Sequence, residues 1–456
     1  MAKITQLPTE LLQMIFSEFL NILTPTAYKV LPLFKVSAED LATLQAVSRT
    51  CRALHRAVEP LVWRHICIEA HDINRPFTGP SVSQLVALIR LWHARPDLAA
   101  HVHTIFVSWT ALYLGQQLIQ DEDFEFLSGL IRDLGLRLPD GWHEAGKSTG
   151  ILAGIAVLLA RNVRVLDLHA HSTYFFDCIP APDETPVCFE SLTYVRLNAS
   201  SPRNPSSIDI CPLLRLAPNL TKLEAWPGLF DPKDLDWSGI TTLMLEGAET
   251  SAAQVAGVIK SCSKLRDFSF FTKHDPSPSE IMAALSTHTS TLRRLNLYFI
   301  SLYSDAKVAI GSLAAFTGLE ELSIPADNIG TGAGCALRTL PQSLRLLNIE
   351  GHLHEHREDI EWLAGHIRAG NLSNLGEVRL PVWECDGDHA GPCRGTYVDE
   401  NNGYESGIDE HGSDWEYEDG DEDEACDGGK KVHELRALFR DAGVSCNIGP
   451  ALEMVL

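Results

Sequence analysis

The sequence predicts an α/β protein: a small helical module, then a solenoid in which a curved parallel sheet carries helices on its convex side. Three observations predict it. Amphipathic helical segments fill the first part of the chain. A short apolar pattern returns, after Val163, at intervals of 29, 28, 20, 25, 27, 27, 25 and 31 residues. Stretches of helical period lie between its copies.

The first segment is "LPTELLQMIFSEFL". Pro8 suits a helix start and Glu10 suits the positive end of the helix dipole. Leu11, Leu12, Ile15, Phe16 and Phe19 make an apolar arc too wide for one neighbour, so this helix is expected to have two. In "LATLQAVSRTCRALHRAVEPLVWRHI", Leu41, Leu44, Val47, Cys51, Leu54 and Val58 recur at three and four, on one helical stripe. Pro60 is expected to stop that helix, and Trp63 stands where the module would hand the chain on.

These residues carry a resemblance. Leu7, Pro8, Glu10, Leu11, Ile15, Asp40, Leu41, Val47, Ser48, Arg49, Cys51 and Trp63 follow, in order, the pattern of the F-box family. The resemblance implies a three-helix unit that docks the Skp adaptor of cullin-RING ubiquitin ligases. It implies an adaptor surface drawn from Leu7, Pro8, Glu10, Leu11, Ile15, Leu41, Leu44, Val47, Ser48, Arg49 and Trp63. One departure is an inserted loop, about residues 22–38, where the family has a few residues. Loop closure grows only logarithmically with length, so the module can absorb it.

The returning pattern is apolar, two residues, apolar, one residue, apolar. It runs through "VHTIFV", "VRVLDL", "LTYVRL", "LTKLEA", "ITTLML", "LRDFSF", "LRRLNL", "LEELSI", "LRLLNI" and "LGEVRL". That is the period of leucine-rich repeats, although the Asn or Cys usual after the third apolar position is mostly missing. Each copy ends in a short strand. "SAAQVAGVIKSC", "SEIMAALSTH", "DAKVAIGSLAAF" and "REDIEWLAGHIR" read as helices between them. A strand and helix repeated in this way bury their apolar faces only by stacking. Residues alternating with the buried ones then point into the concave surface: Arg196, Lys222, Glu224, Trp226, Phe271, Arg294, Asn296, Tyr298 and Arg379. Arg and aromatic side chains there suit a protein substrate, with Trp226, Phe271 and Tyr298 in a line.

Four spans follow: a helical module over 1–68, a solenoid over 69–383, an acidic insertion over 384–429 expected to be disordered, and a capping helix and strand over 430–456. The formal charge of −23 is concentrated, since Glu384 to Asp427 holds seventeen acids and one base. The remainder is only mildly acidic, and a body of that sign is expected to lack the basic stripe that phosphate binding needs, so nucleic acid is not expected as a partner. The apolar run "GILAGIAVLLA" is too short to span a bilayer, and no secretory signal is read at the start, so no membrane is expected. Eleven cysteines without a spacing framework fit reduced thiols in the cytoplasm or nucleus.

Several other motifs carry a weaker signal. "GWHEAGKS", 141–148, meets the phosphate-loop pattern, with Lys147 as its lysine and Asp167 as a metal-holding acid. Glu144 would place negative charge against the phosphates, and Pro139 interrupts the strand that should precede. "HLHEH" with His366, and Cys385, His389 and Cys393, lack convincing zinc spacing. "GTGAG" from Gly330 reads as a turn. No cofactor, metal or catalytic set is nominated. The expected role is a non-catalytic substrate receptor of an SCF-type ligase. The alternatives are an interaction scaffold outside a ligase and a nucleotide-binding protein using 141–148.

Overall fold

The structure, a computed structural model, describes residues 7–17, 38–68, 82–107, 119–138, 141–143, 148–170, 188–199, 211–225, 236–246, 251–272, 277–299, 309–330, 335–351, 356–381 and 427–449. The inserted loop, most of the acidic tract, Trp226, Lys147 and the Cys385, His389, Cys393 group lie outside them.

Helices α1 (Thr9–Ser17), α2 (Ala38–Ser48) and α3 (Arg52–Val62) close on a core of their own. It consists of Leu12, Phe16, Leu44, Leu54, Ala57, Val58 and Leu61, with Val47, Cys51 and Val62 at its margin. The stripe expected on one helix is therefore shared between two. The hydroxyls of Ser48 and Thr50 donate to the carbonyls of Gln45 and Val47 at 2.8 and 2.7 Å. That competes with the backbone bonds that would continue the helix. Cys51 is extended, with φ −160°, and opens α3. Pro60 does not stop α3; it sits in the last turn, where little helix remains to be disrupted.

Trp63 packs against a second, much larger core. There the chain enters a sheet of twelve strands, all parallel, whose spatial order is the chain order. The strands are β1 (His65–Ile68), β2 (Thr104–Val107), β3 (Val165–Ala170), β4 (Tyr194–Ala199), β5 (Lys222–Ala225), β6 (Thr242–Glu246), β7 (Asp267–Thr272), β8 (Arg294–Phe299), β9 (Glu321–Pro325), β10 (Leu346–Glu350), β11 (Glu377–Pro381) and β12 (Ser445–Gly449). Every copy of the repeat pattern supplies one strand, from β2 to β11. The first apolar residue of each copy lies before its strand; the second and third are the inward residues, such as Leu295 and Leu297, 1% and 0% exposed. β1 belongs to the same series, because Trp63, Ile66 and Ile68 repeat the spacing inside the span assigned to the helical module.

Between strands lie α4 (Val82–Ala94), a short α5 (Pro96–Ala99), α6 (Asp121–Asp133), α7 (Ser148–Leu159), a short α8 (Cys211–Arg215), α9 (Ala252–Ser261), α10 (Pro278–Leu285) and α11 (Arg357–Arg368). The run "GILAGIAVLLA" is α7, whose residues from Ile151 to Leu158 are all buried or, at Gly154, within the buried stretch. No helix among the described residues is long and apolar enough to cross a membrane. Helix α9 starts on a capping box, Ser251 with Gln254, as its sequence favours. His288 joins neighbouring repeats by sharing a 2.9 Å hydrogen bond with the Ile259 carbonyl.

The helix expected over 305–316 does not form in its described part, 309–316, which is irregular chain with one turn. Tertiary bonds replace it. The buried Asn328 amide donates to the Phe299 carbonyl at 3.1 Å and accepts from the Phe299 amide at 3.0 Å, while the Asn328 carbonyl takes the Ile310 amide at 3.1 Å. Gly318 follows; a Cβ there would stand 2.7 Å from the Ser290 carbonyl oxygen, so the close approach of these two turns excludes a side chain.

At the other end, α12 (Asp427–Asp441) begins within the span assigned to the acidic tract and leads into β12. Leu435 and Phe439 enter the large core with Val444 and Ile448, so this helix and strand close the stack beside β11.

Candidate functional site

The structure offers two candidate surfaces, one on α1 and one on the sheet. Helix α1 divides its apolar arc in two. Leu12 and Phe16 are buried in the module core. Leu7, Leu11 and Ile15 remain 36%, 45% and 43% exposed, and Met14 is 64% exposed. Four of the five large apolar side chains that stand exposed among the described residues are therefore on or beside this one helix. Positions 7, 11, 14 and 15 share one helical face. Pro8 and Glu10 are exposed next to it.

The other residues expected on this surface are distributed differently. Leu44 is fully buried and belongs to the module core, so it offers no docking area. Leu41, Val47 and Ser48 are half-buried, and Arg49 is exposed. Trp63 is half-buried against the sheet core. Met14 was missed by the sequence reading, although its position three residues after Leu11 is the signal that finds it.

The sheet face opposite the helices is polar and internally paired. Arg196, in β4, lies between two acids, 3.8 Å from Asp167 and 3.3 Å from Glu224. Lys222 approaches Glu224 at 2.9 Å and lies 4.1 Å over the Tyr194 ring. Arg294 binds Asp267 through two hydrogen bonds of 2.7 and 2.9 Å, and Arg379 binds Glu377 at 2.8 Å. Phe271 and Tyr298 stack at 5.1 Å with an interplanar angle of 22°. The strand register brings these candidates together on one face.

The environment of this face moves several ionisations. Hydrogen bonding from Arg379 holds Glu377 below the usual carboxylate range. Burial pushes Glu350 up, opposed by hydrogen bonds from Ser323 and Asn348. Burial, then the Glu224 charge, push the Tyr194 phenol upward. Near the amino-terminal end the face closes: Thr104, Phe106 and Asp167 are all buried.

The phosphate-loop motif finds a different setting. What precedes Gly141 is helix α6 and the irregular chain 134–138, where a strand would be required. Trp142 stacks on Phe124 of α6 at 5.5 Å, which pins the turn to the helix. Asp167 faces Arg196. Among the described residues no three His, Cys, Asp or Glu side chains are grouped to hold a metal. His356 is buried and His366 stacks on Trp362 at 4.6 Å.

Residues 4–69 match the family described as F-box-like. No curated protein matches the chain. The molecule thus combines an F-box-like domain at 4–69 with a long all-parallel sheet alternating with helices, the arrangement of a leucine-rich-repeat-like solenoid.

Proposed function

We propose that this chain is the substrate-recognition subunit of an SCF-type cullin-RING ubiquitin ligase, a non-catalytic adaptor working in the cytoplasm or nucleus. The observation that carries the reading is the apolar face of α1. Leaving Leu7, Leu11, Met14 and Ile15 between 36% and 64% exposed forgoes further burial worth about 0.5–2 kcal/mol for each side chain. Such a face on an F-box-like domain is what a Skp adaptor covers. The sheet then holds a protein substrate, which raises its effective concentration at the ligase. Arg196, Lys222, Phe271, Arg294, Tyr298 and Arg379, with Trp226, are the residues assigned to substrate.

The test is affinity capture of the full chain from cells, followed by mass spectrometry. The parent is expected to bring down the Skp adaptor and a cullin. Leu11→Asp combined with Ile15→Asp should lose both, because each change places a charge on the docking face while leaving the buried Leu12 and Phe16 in place. Retention of both proteins by the variant would reject this face. Absence of both from the parent would favour a scaffold outside a ligase.

A further inference from the structure

The residue just before each strand extends the sheet by one further rung. His103 donates its amide to the Arg64 carbonyl at 2.9 Å, Arg164 to His103 at 2.8 Å, and Thr193 to Arg164 at 2.9 Å. The series continues through Thr221, Thr241, Arg266, Arg293, Glu320 and Arg345, at 2.6 to 3.0 Å per step. These residues therefore form one row along the amino-terminal edge of the sheet. At about 4.8 Å per strand it runs for about 43 Å if straight. Its charged members are Arg64, Arg164, Arg266, Arg293 and Arg345 against the single acid Glu320, with His103 between the first two arginines.

Pairing separates this edge from the open face. On the open face every candidate cation, Arg196, Lys222, Arg294 and Arg379, has a carboxylate partner within the sheet. On the edge, Arg64, Arg164 and Arg266 have none among the described residues, and Arg293 and Arg345 share Glu320 at 3.4 and 4.0 Å. The Arg64 Nε is buried and without a hydrogen-bond partner. Asp267, the nearest acid along β7, is already engaged by Arg294. The positive field is felt locally, since burial, then Arg164, Arg64 and His101, disfavour the charged form of His103.

We propose that this edge is a docking surface for an extended, carboxylate-rich segment of a partner protein. The chain as a whole, at −23, repels an acidic segment, so the row of arginines without carboxylate partners is where such a segment meets local attraction. The row is one residue wide and about 43 Å long, which matches about thirteen residues of extended peptide. Its middle is uncharged: Thr193, Thr221 and Thr241 each turn the hydroxyl back onto the preceding carbonyl at 3.2 Å. That leaves a gap of about 19 Å between Arg164 and Arg266. A peptide with spaced acids tolerates the gap, whereas a polynucleotide would meet it with unbroken phosphate charge. The surface is distinct from the adaptor face on α1 and does not depend on it.

The experiment is fluorescence anisotropy with the full chain and a labelled extended peptide of about thirteen residues, with Glu residues near both ends and about five Ser residues between the two acidic groups. Binding should be saturable at about 50 mM salt and weaken steeply by about 300 mM. Arg164→Glu combined with Arg266→Glu should raise Kd at least about tenfold, while Arg379→Gln on the open face changes it less than about twofold. Arg164→Gln with Arg266→Gln provides a second variant that introduces no like-charge repulsion, and should weaken binding in the same direction. Circular dichroism and adaptor capture, unchanged in these variants, separate this result from failure of the ligase reading. The proposal is overturned if the parent shows no saturable binding, if the edge variants bind like the parent, or if a single-stranded oligonucleotide binds more tightly than the peptide.

Discussion

The helical module and the sheet treat apolar side chains in opposite ways. The sheet hides them: its inward residues are nearly all fully buried, and its outward residues are polar or paired. The module, with a core of only a few side chains, leaves a row of them in water on α1. A stack gains by burying every repeat against two neighbours, whereas three short helices cannot enclose all of their apolar arc. What remains outside is available for a partner.

The comparison breaks most visibly in the cores. Phe268→Ala empties a position 1% exposed in the middle of the sheet and should cost about 3–5 kcal/mol in chemical denaturation. Leu12→Ala, 2% exposed in the module, should cost about 2–5 kcal/mol within the module and abolish adaptor capture. If the cores are independent, the sheet's unfolding midpoint stays put in Leu12→Ala. A shared shift of equal size would show that the two regions unfold as one.

The junction between them supplies the next effect. Burial, then Arg64 and His103, lower the His65 pKa to about 4. In the unfolded chain it titrates near 6.5, so between these values the unfolded state binds more protons and stability rises with pH. The contribution is complete above about pH 6.5 and is lost as pH falls toward 4, up to about 3 kcal/mol. His65→Gln should flatten that part of the stability profile relative to the parent.

Smaller effects sharpen the contrast on the open face. A double-mutant cycle on Phe271 and Tyr298 should give a coupling of about 0.5–1.5 kcal/mol, as stacked rings do. The pair of Arg294, 59% exposed, with Asp267 should be worth less than about 1 kcal/mol and fade with added salt.

Much of this organisation is legible in the chain. The apolar spacing located β2 to β11, because an inward side chain every second residue and a buried aliphatic residue before each strand leave a periodic trace. β1 escaped because its copy, Trp63, Ile66 and Ile68, overlaps the end of a helical signal. The helix read over 305–316 failed in its described part because Asn328 and Gly318 fix that connection through contacts made across the repeat, beyond the reach of local propensity. On α1 the excess apolar arc announced two neighbours, but which residues face which was a matter of packing: Leu12 and Phe16 went inward, and Leu11, Met14 and Ile15 outward.

The sequence by itself determined the helical module, the repeat, its strands and the amphipathic first helix, since each is a local periodicity of side-chain chemistry. Only the tertiary structure decided which charges meet. Arg196 is neutralised because register places it between Asp167 and Glu224, which lie about thirty residues away on either side. Arg64, Arg164 and Arg266 fall into one row for the same reason, with no carboxylate paired to them among the described residues. Stacking converts positions far apart along the chain into neighbours about 4.8 Å apart, and at that distance charge pairing is set by register, which composition does not contain.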